Sequence, residues 1–272
     1  EKTIFLLYYF TNFPTYEEIK DNIKNSDSFS FAFSTCVQDK NGKTVAQIPA
    51  LNIKNPEINQ KALEANIYYS LKLYYDFYGS VCIAHIIKGI KEKGLDISKT
   101  IENIVDNSFF IPQNRKKSFY KGFMAGVNGE YINSLSILIP QFENALRCFA
   151  EELGALVYRM DEEGIEEVCS MEYILNSSDF NSIISEDIIM NIKALFTSKY
   201  NANMRNRFAH GLIDDVEFYD PLAIYAWAFI FKLCYMWCPY DEERHYRRSE
   251  AYELIRKINI EFNEKEFKEE PN

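Results

Sequence analysis

The run from residue 221 to 238 is apolar at almost every position, with Trp227 and Trp237 inside it, and a helix that is apolar all round has to be buried on all sides. Lipid or the middle of a helical bundle would supply that environment. The run is short for a membrane span and carries Lys232 well inside it, so it is expected to be a buried helix of a bundle or of a dimer interface. With 272 residues, 47% of them hydrophobic and 15% aromatic, and only 10 Gly and 8 Pro, the chain has the material to surround such a helix without staples.

Helical spacing dominates the rest. From about residue 55 to 107, Leu63, Ile67, Leu71 and Tyr74 or Tyr75 share one face, a second helix follows around 81–92, Gly94 punctuates, and Asp96-Ile97-Ser98 opens another. Phe109 to Gln113, with Pro112, reads as a connector and the best domain boundary. Beyond it, helices are expected over 115–127, 130–153, 184–200 and 219–238, lengths that suit a bundle. Upstream, Thr15 is placed to cap a short helix. The clearest strand pattern is Phe29-Ser30-Phe31-Ala32-Phe33-Ser34, followed by an Asp39-Lys40-Asn41-Gly42 turn and Thr44 to Pro49, which predicts one β-hairpin. The expected fold is mainly α: an N-terminal helical region over 1–112 with a hairpin at about 29–49, a helical bundle over 113–240, and a charged helical tail over 241–272. The acidic stretch Asp161 to Glu167 reads as a solvated loop or helix face.

Six cysteines at spacings that repeat no disulfide framework fit a reducing compartment, and a cytoplasmic location is expected. No secretory leader pattern opens the chain, and a start at Glu1 instead of Met suggests a processed or excised piece of something longer. The net charge of −10 argues against indiscriminate binding to nucleic-acid duplexes, because phosphate contacts need Lys and Arg. Two local basic stretches remain, Asn114-Arg115-Lys116-Lys117 with Lys121, and residues 199–207. Gly42-Lys43-Thr44 mimics the end of a phosphate-binding loop but has no glycine at position 37 and no helix behind it. Cys234 and Cys238 lack the further ligands zinc requires, so no metal and no cofactor are expected. His85, on an apolar helix, is expected to be a core or subunit-contact histidine, and His245 to be exposed in the tail.

The segment Arg205-Asn206-Arg207-Phe208-Ala209-His210-Gly211 carries the chemistry. It pairs an always-charged guanidinium with the side chain whose ordinary pKa lies nearest neutrality. RNA cleavage by the ribose 2′-hydroxyl on its own phosphate needs a proton acceptor, a proton donor and a cation, and His210 and Arg205 are of the right types. On a straight helix residues five apart are rotated by about 140°, so the two would not share a face. Gly211, the preferred residue after a helix end, offers His210 a way to turn inward. One His cannot be both acid and base at once, and a two-fold dimer would supply the second.

The same segment resembles the R-x4-6-H signature of HEPN domains (higher eukaryotes and prokaryotes nucleotide-binding), in the form RNxxxHG. A second block, Ile137-Leu138-Ile139-Pro140-Gln141-Phe142-Glu143-Asn144-Ala145-Leu146-Arg147, is similar to the L-x-P-Q-x-E-x-x-L-R helix of that family. The resemblance covers about 115–240 well and 28–50 loosely. It implies a HEPN-type helical bundle that forms a homodimer and, in the catalytic branch, cleaves RNA without metal to a cyclic phosphate. Many members are toxins or phage-defence effectors, which would bring an antitoxin or regulatory partner. By position, Arg205 would stabilise the scissile phosphate, His210 would transfer protons, Asn206 would orient one of them, and Glu143 would anchor Arg205 or tune the His. Glu143 has the equal alternative of an ion pair with Arg147 one turn on. Arg207, Arg147 and Lys199 are the cations expected to touch substrate, with a plain exposed helix arginine as the alternative for Arg207. Two other classes stay open: a non-catalytic HEPN module binding RNA, a nucleotide or a protein, and a structural dimerisation domain in which Arg205 merely pairs with Glu143.

Overall fold

The computed structural model describes residues 2–25, 29–39, 41–52, 59–160 and 163–238, so the expected tail over 241–272, His245 included, lies outside the described residues. The helices are α1 (Lys2–Phe10), α2 (Tyr16–Lys24), α3 (Gln60–Phe77), α4 (Ala84–Glu92), α5 (Ser98–Asn107), α6 (Lys116–Val127), α7 (Tyr131–Glu152), α8 (Met171–Asn176), α9 (Ser178–Asn181), α10 (Glu186–Ile192), α11 (Met204–Ala209) and α12 (Pro221–Met236). Two antiparallel hairpins accompany them, β1 (Thr35–Gln38) with β2 (Thr44–Ile48) and β3 (Tyr158–Met160) with β4 (Glu166–Val168). The chain is mainly helical, as its periodicity predicts.

Helix α12 is the axis. Every residue from Tyr225 to Tyr235 is buried, and α1, α3, α5, α6 and α7 all pack on it. This is the buried bundle helix expected from its all-round apolar character, and no helix of the described residues is long and apolar enough to cross a membrane. Lys232 is accommodated by its surroundings: its ammonium donates to the Thr11 carbonyl at 2.6 Å and lies 4.8 and 4.4 Å from the ring centroids of Tyr8 and Phe13. Burial pulls its pKa down to about 8, while the carbonyl and the two ring faces favour the charged form.

The segment from Thr11 to Tyr16 is bound along this axis through its backbone. The Asn12 carbonyl accepts from the Tyr225 hydroxyl, the Pro14 carbonyl accepts from Asn191 at 3.0 Å, and the Tyr16 N–H donates to Asp187 at 2.7 Å. Tyr75 donates to the other end of the Asn191 amide at 2.7 Å, so one buried polar group links α3, α10 and the N-terminal segment. Thr15 caps α2 in a reciprocal box with Glu18, as expected.

Helices α6 and α7 form an antiparallel pair through Gly129 (φ 76°), and the Ser134 hydroxyl donates to the Gly122 carbonyl at 2.6 Å. In α7, Leu135, Leu138, Ile139, Phe142, Ala145 and Leu146 make the buried stripe, which leaves Glu143 and Arg147 beside it at the core's margin. Side chains on both sides of 109–113 share one core: Phe110 stacks on Trp237, and the Phe109 N–H donates to the Trp237 carbonyl at 3.0 Å.

Three expectations shift. The first strand runs over Thr35–Gln38, while Phe29–Ala32 forms a 3-10 turn whose Phe31 carbonyl accepts from Leu51 at 2.7 Å. The reason lies in the turn, where the Asp39 carboxylate accepts from the N–H of Asn41 and of Lys43 and so sets the register at Gln38–Thr44. The acidic stretch belongs in part to a second hairpin, with Arg159 and Glu167 paired across it at 3.1 Å. His85 is exposed, its Nδ1 3.1 Å from the Ser80 carbonyl, so it is not a core residue.

Two outcomes test this packing. A methyl group at Gly79 would lie 2.1 Å from the Pro221 carbonyl oxygen, so Gly79→Ala is expected to cost about 3 kcal/mol in denaturant unfolding. Lys232 binds its proton less tightly folded than unfolded, so its contribution to stability rises with pH above about 8. In melts between about pH 7.5 and 9.5, wild type gains relative to Lys232→Met; a constant difference contradicts the assignment.

Candidate active site

Helix α11 is only six residues long. Met204 is buried and Phe208, one turn on, packs against the core, so these two anchor the helix and turn Arg205 toward α7. Its start is set by Asn203 in the left-handed region (φ 48°), where Asn is among the most tolerated non-glycine residues. Its end is a Schellman cap: the Leu212 N–H donates to the Arg207 carbonyl at 2.8 Å and the Gly211 N–H to Phe208 at 3.1 Å, with Gly211 at φ 62°. His210 is the C-cap residue and has left helical geometry (φ −100°, ψ 7°), so the straight-helix angle does not apply to it.

The two motif blocks meet, although 62 residues separate them. Arg205 donates from Nε to Glu143 Oε2 at 2.8 Å and from Nη2 to Oε1 at 3.0 Å, a bidentate pair with 29% and 13% of the side chains exposed. Arg205 Nη1 donates to Asn206 Oδ1 at 3.1 Å, and Asn206 Nδ2 donates to Asn203 Oδ1 at 2.8 Å, which fixes the amide's orientation. Glu143 Oε1 also accepts from the Met171 N–H at 3.3 Å. Arg147 stands 3.7 Å from the same oxygen and donates from Nε to the Cys169 carbonyl at 3.4 Å. Both roles expected for Glu143 are therefore occupied together, with the Arg205 pair the shorter and better aligned.

The cluster can do two things chemically. Two guanidiniums share one carboxylate, which leaves one positive charge uncompensated among these three groups in a chain of net charge −10. Arg205 uses three of its N–H bonds on Glu143 and Asn206, so two of the five a guanidinium carries are left for an anion. The His210 residue is exposed and its side chain makes no hydrogen bond to another described residue, so it is not held against the Arg205–Glu143 cluster within this chain.

The remaining candidates fall elsewhere. Arg207 reaches Glu217 at 2.5 Å and the Leu212 carbonyl at 3.1 Å, and so clasps the loop behind the motif instead of standing free. Lys199 is exposed, with its ammonium 5.3 Å from the Tyr200 ring, and joins no contact of the cluster. Glu217, Asn203 and the Met171 N–H are participants to which the sequence assigns no role in advance. Asp214 and Glu217 do carry a legible sign, the reciprocal capping box of the 3-10 turn Asp215–Tyr219. Among the described residues no group of three or more His, Cys, Asp or Glu is placed to hold a metal ion.

Comparison with protein-family models, with curated proteins and with solved structures gives no match for this chain.

A double-mutant cycle separates the two arginines. Glu143→Ala is expected to cost roughly 2 kcal/mol, with a coupling to Arg205→Ala of about 1 kcal/mol or more and a coupling to Arg147→Ala of under about 0.5 kcal/mol, each read from denaturant unfolding. Equal couplings would contradict the geometry.

Proposed function

We propose that the chain is a metal-independent endoribonuclease of HEPN type that acts as a homodimer. The observation that carries this reading is the bidentate Glu143–Arg205 pair, which joins the two sequence blocks resembling the family and holds a guanidinium with two N–H bonds unused. His210, five residues on from Arg205 and exposed, is the group to which this reading assigns proton transfer. In this scheme neutral His210 takes the proton of a ribose 2′-hydroxyl as the 2′-oxygen attacks the adjacent phosphorus. Arg205 donates to the non-bridging oxygens as their charge grows, and the departing 5′-oxygen takes a proton from the other copy's imidazolium. The products are a 2′,3′-cyclic phosphate and a free 5′-hydroxyl. Asn206 and Glu143 act by positioning Arg205. Such a protein would serve as a toxin or defence effector held in check by a partner.

One observation favours a second reading, a non-catalytic module that binds RNA or another phosphate ligand. Arg205 is already ion-paired in the free chain, as a purely structural or binding arginine would be. Cleavage of single-stranded RNA in the presence of a chelator distinguishes them. The nuclease loses about 100-fold or more of its rate in His210→Ala and in Arg205→Ala. Binding that depends on Arg205 with no turnover selects the second reading, and cleavage undiminished in both variants removes the mechanism.

A further inference from the structure

Helix α3 is apolar on two faces. One carries Leu63, Ile67, Leu71 and Tyr75 into the core, each no more than 1% exposed. The other presents Tyr69, Leu73, Phe77 and Val81, four residues apart in sequence and 38%, 77%, 56% and 50% exposed. Scattered exposed apolar residues are ordinary, but a row at intervals of four is the ridge through which helices interlock. The last of the four lies in the π segment Tyr78–Ile83, whose wider turn brings Val81 back over the row.

This row adjoins the motif side of the molecule. Gly79, between Phe77 and Val81, lies so close to Pro221 that a side chain there would strike its carbonyl. Burial, then Glu217 and Asp76, raise the pKa of the Asp220 carboxyl while Lys72 and Arg207 oppose them, so Asp220 is within electrostatic reach of α3 and of the motif's loop alike. Around that junction Leu212, Val216 and Tyr219 are 59%, 74% and 50% exposed. These three bring exposed apolar side chains to within two residues of His210 in sequence.

We propose that this surface, the α3 row with the outer residues of 212–219, is the face on which a second copy of the chain docks about a two-fold axis. The area fits: the seven side chains expose roughly 700 Å² together, against about 800 Å² per partner in a standard interface. The charges fit as well. Lys72 and Asp76 pair at 3.0 Å beside the row, and an antiparallel crossing between Leu73 and Phe77 puts each Lys72 within a turn of the partner's Asp76. A nucleic acid or an anionic lipid surface is a poor occupant of an apolar ridge on a chain of net charge −10. The docking surface stands on exposure and charge, and its role in supplying the second His210 rests on the nuclease reading above.

Sedimentation of the full chain tests it, with RNA cleavage measured on the same samples. Wild type is expected to be a dimer at micromolar concentration, and Leu73→Glu with Phe77→Glu to raise the dissociation constant about 100-fold or more while retaining the wild-type circular dichroism. Met160→Glu, at an equally exposed apolar position on β3, leaves the dimer intact. A monomeric wild type, or a double variant that dimerises as wild type does, overturns the proposal and gives the ridge to another occupant. A wild-type dimer that does not cleave RNA and that the double variant fails to form supports the surface and tells against the nuclease. A monomeric variant that cleaves at the wild-type rate overturns the sharing of His210.

Discussion

Everything in this structure is arranged around the need to bury α12 on all sides. A helix apolar all round leaves no solvent face, so α1, α3, α5, α6 and α7 enclose it. Its one cation, Lys232, is tolerated because the N-terminal segment brings the Thr11 carbonyl and two aromatic rings to it. The same segment then receives Tyr225 and Asn191, which fixes α10 relative to α12 and α3. From α10 the chain passes through the π segment Lys193–Thr197 to α11. The position of Arg205 is thus a downstream consequence of how the central helix is covered.

At the site, the decisive contrast is between two arginines on one carboxylate. Arg205 meets Glu143 in the fork geometry that gives guanidinium–carboxylate pairs their strength, and Arg147 meets it at the longer distance of 3.7 Å. Because both are cations, the cluster keeps an excess positive charge that an incoming phosphate would neutralise. His210 is differently held. It belongs to a cap, stabilised by backbone bonds from Gly211 and Leu212, and the residue is exposed. An anchored cation and one exposed imidazole in a single chain fall short of the acid, the base and the cation that the proposed chemistry needs, which is why that proposal invokes a second copy.

Much of this was legible in the chain, and the parts that were not have physical reasons. Long helices such as α3, α7 and α12 announce themselves because many residues repeat one burial pattern. The capping box at Thr15 and the glycine cap at Gly211 follow from local chemistry alone. The strands β3 and β4 were hidden because they are three residues long and exposed throughout, so no alternation marks them. Strand β1 was displaced because Phe29 to Ser34 alternates as a strand would, while the Asp39 turn decides which residues pair. The Glu143–Arg205 pair was expected as one of two alternatives, and only the approach of α11 to α7 establishes that both contacts coexist. The second apolar row of α3 escaped notice because a periodicity reading stops once one buried face is found.

The central claim is that Arg205 and His210 direct a 2′-hydroxyl to its own phosphate. The most direct measurement is cleavage of an oligoribonucleotide, followed by the same strand carrying a 2′-deoxy sugar at the cut position. The account predicts cyclic phosphate ends on the first and no cut at the substituted position on the second. Cleavage that persists at the deoxy position, or that leaves 3′-hydroxyl ends, would contradict it.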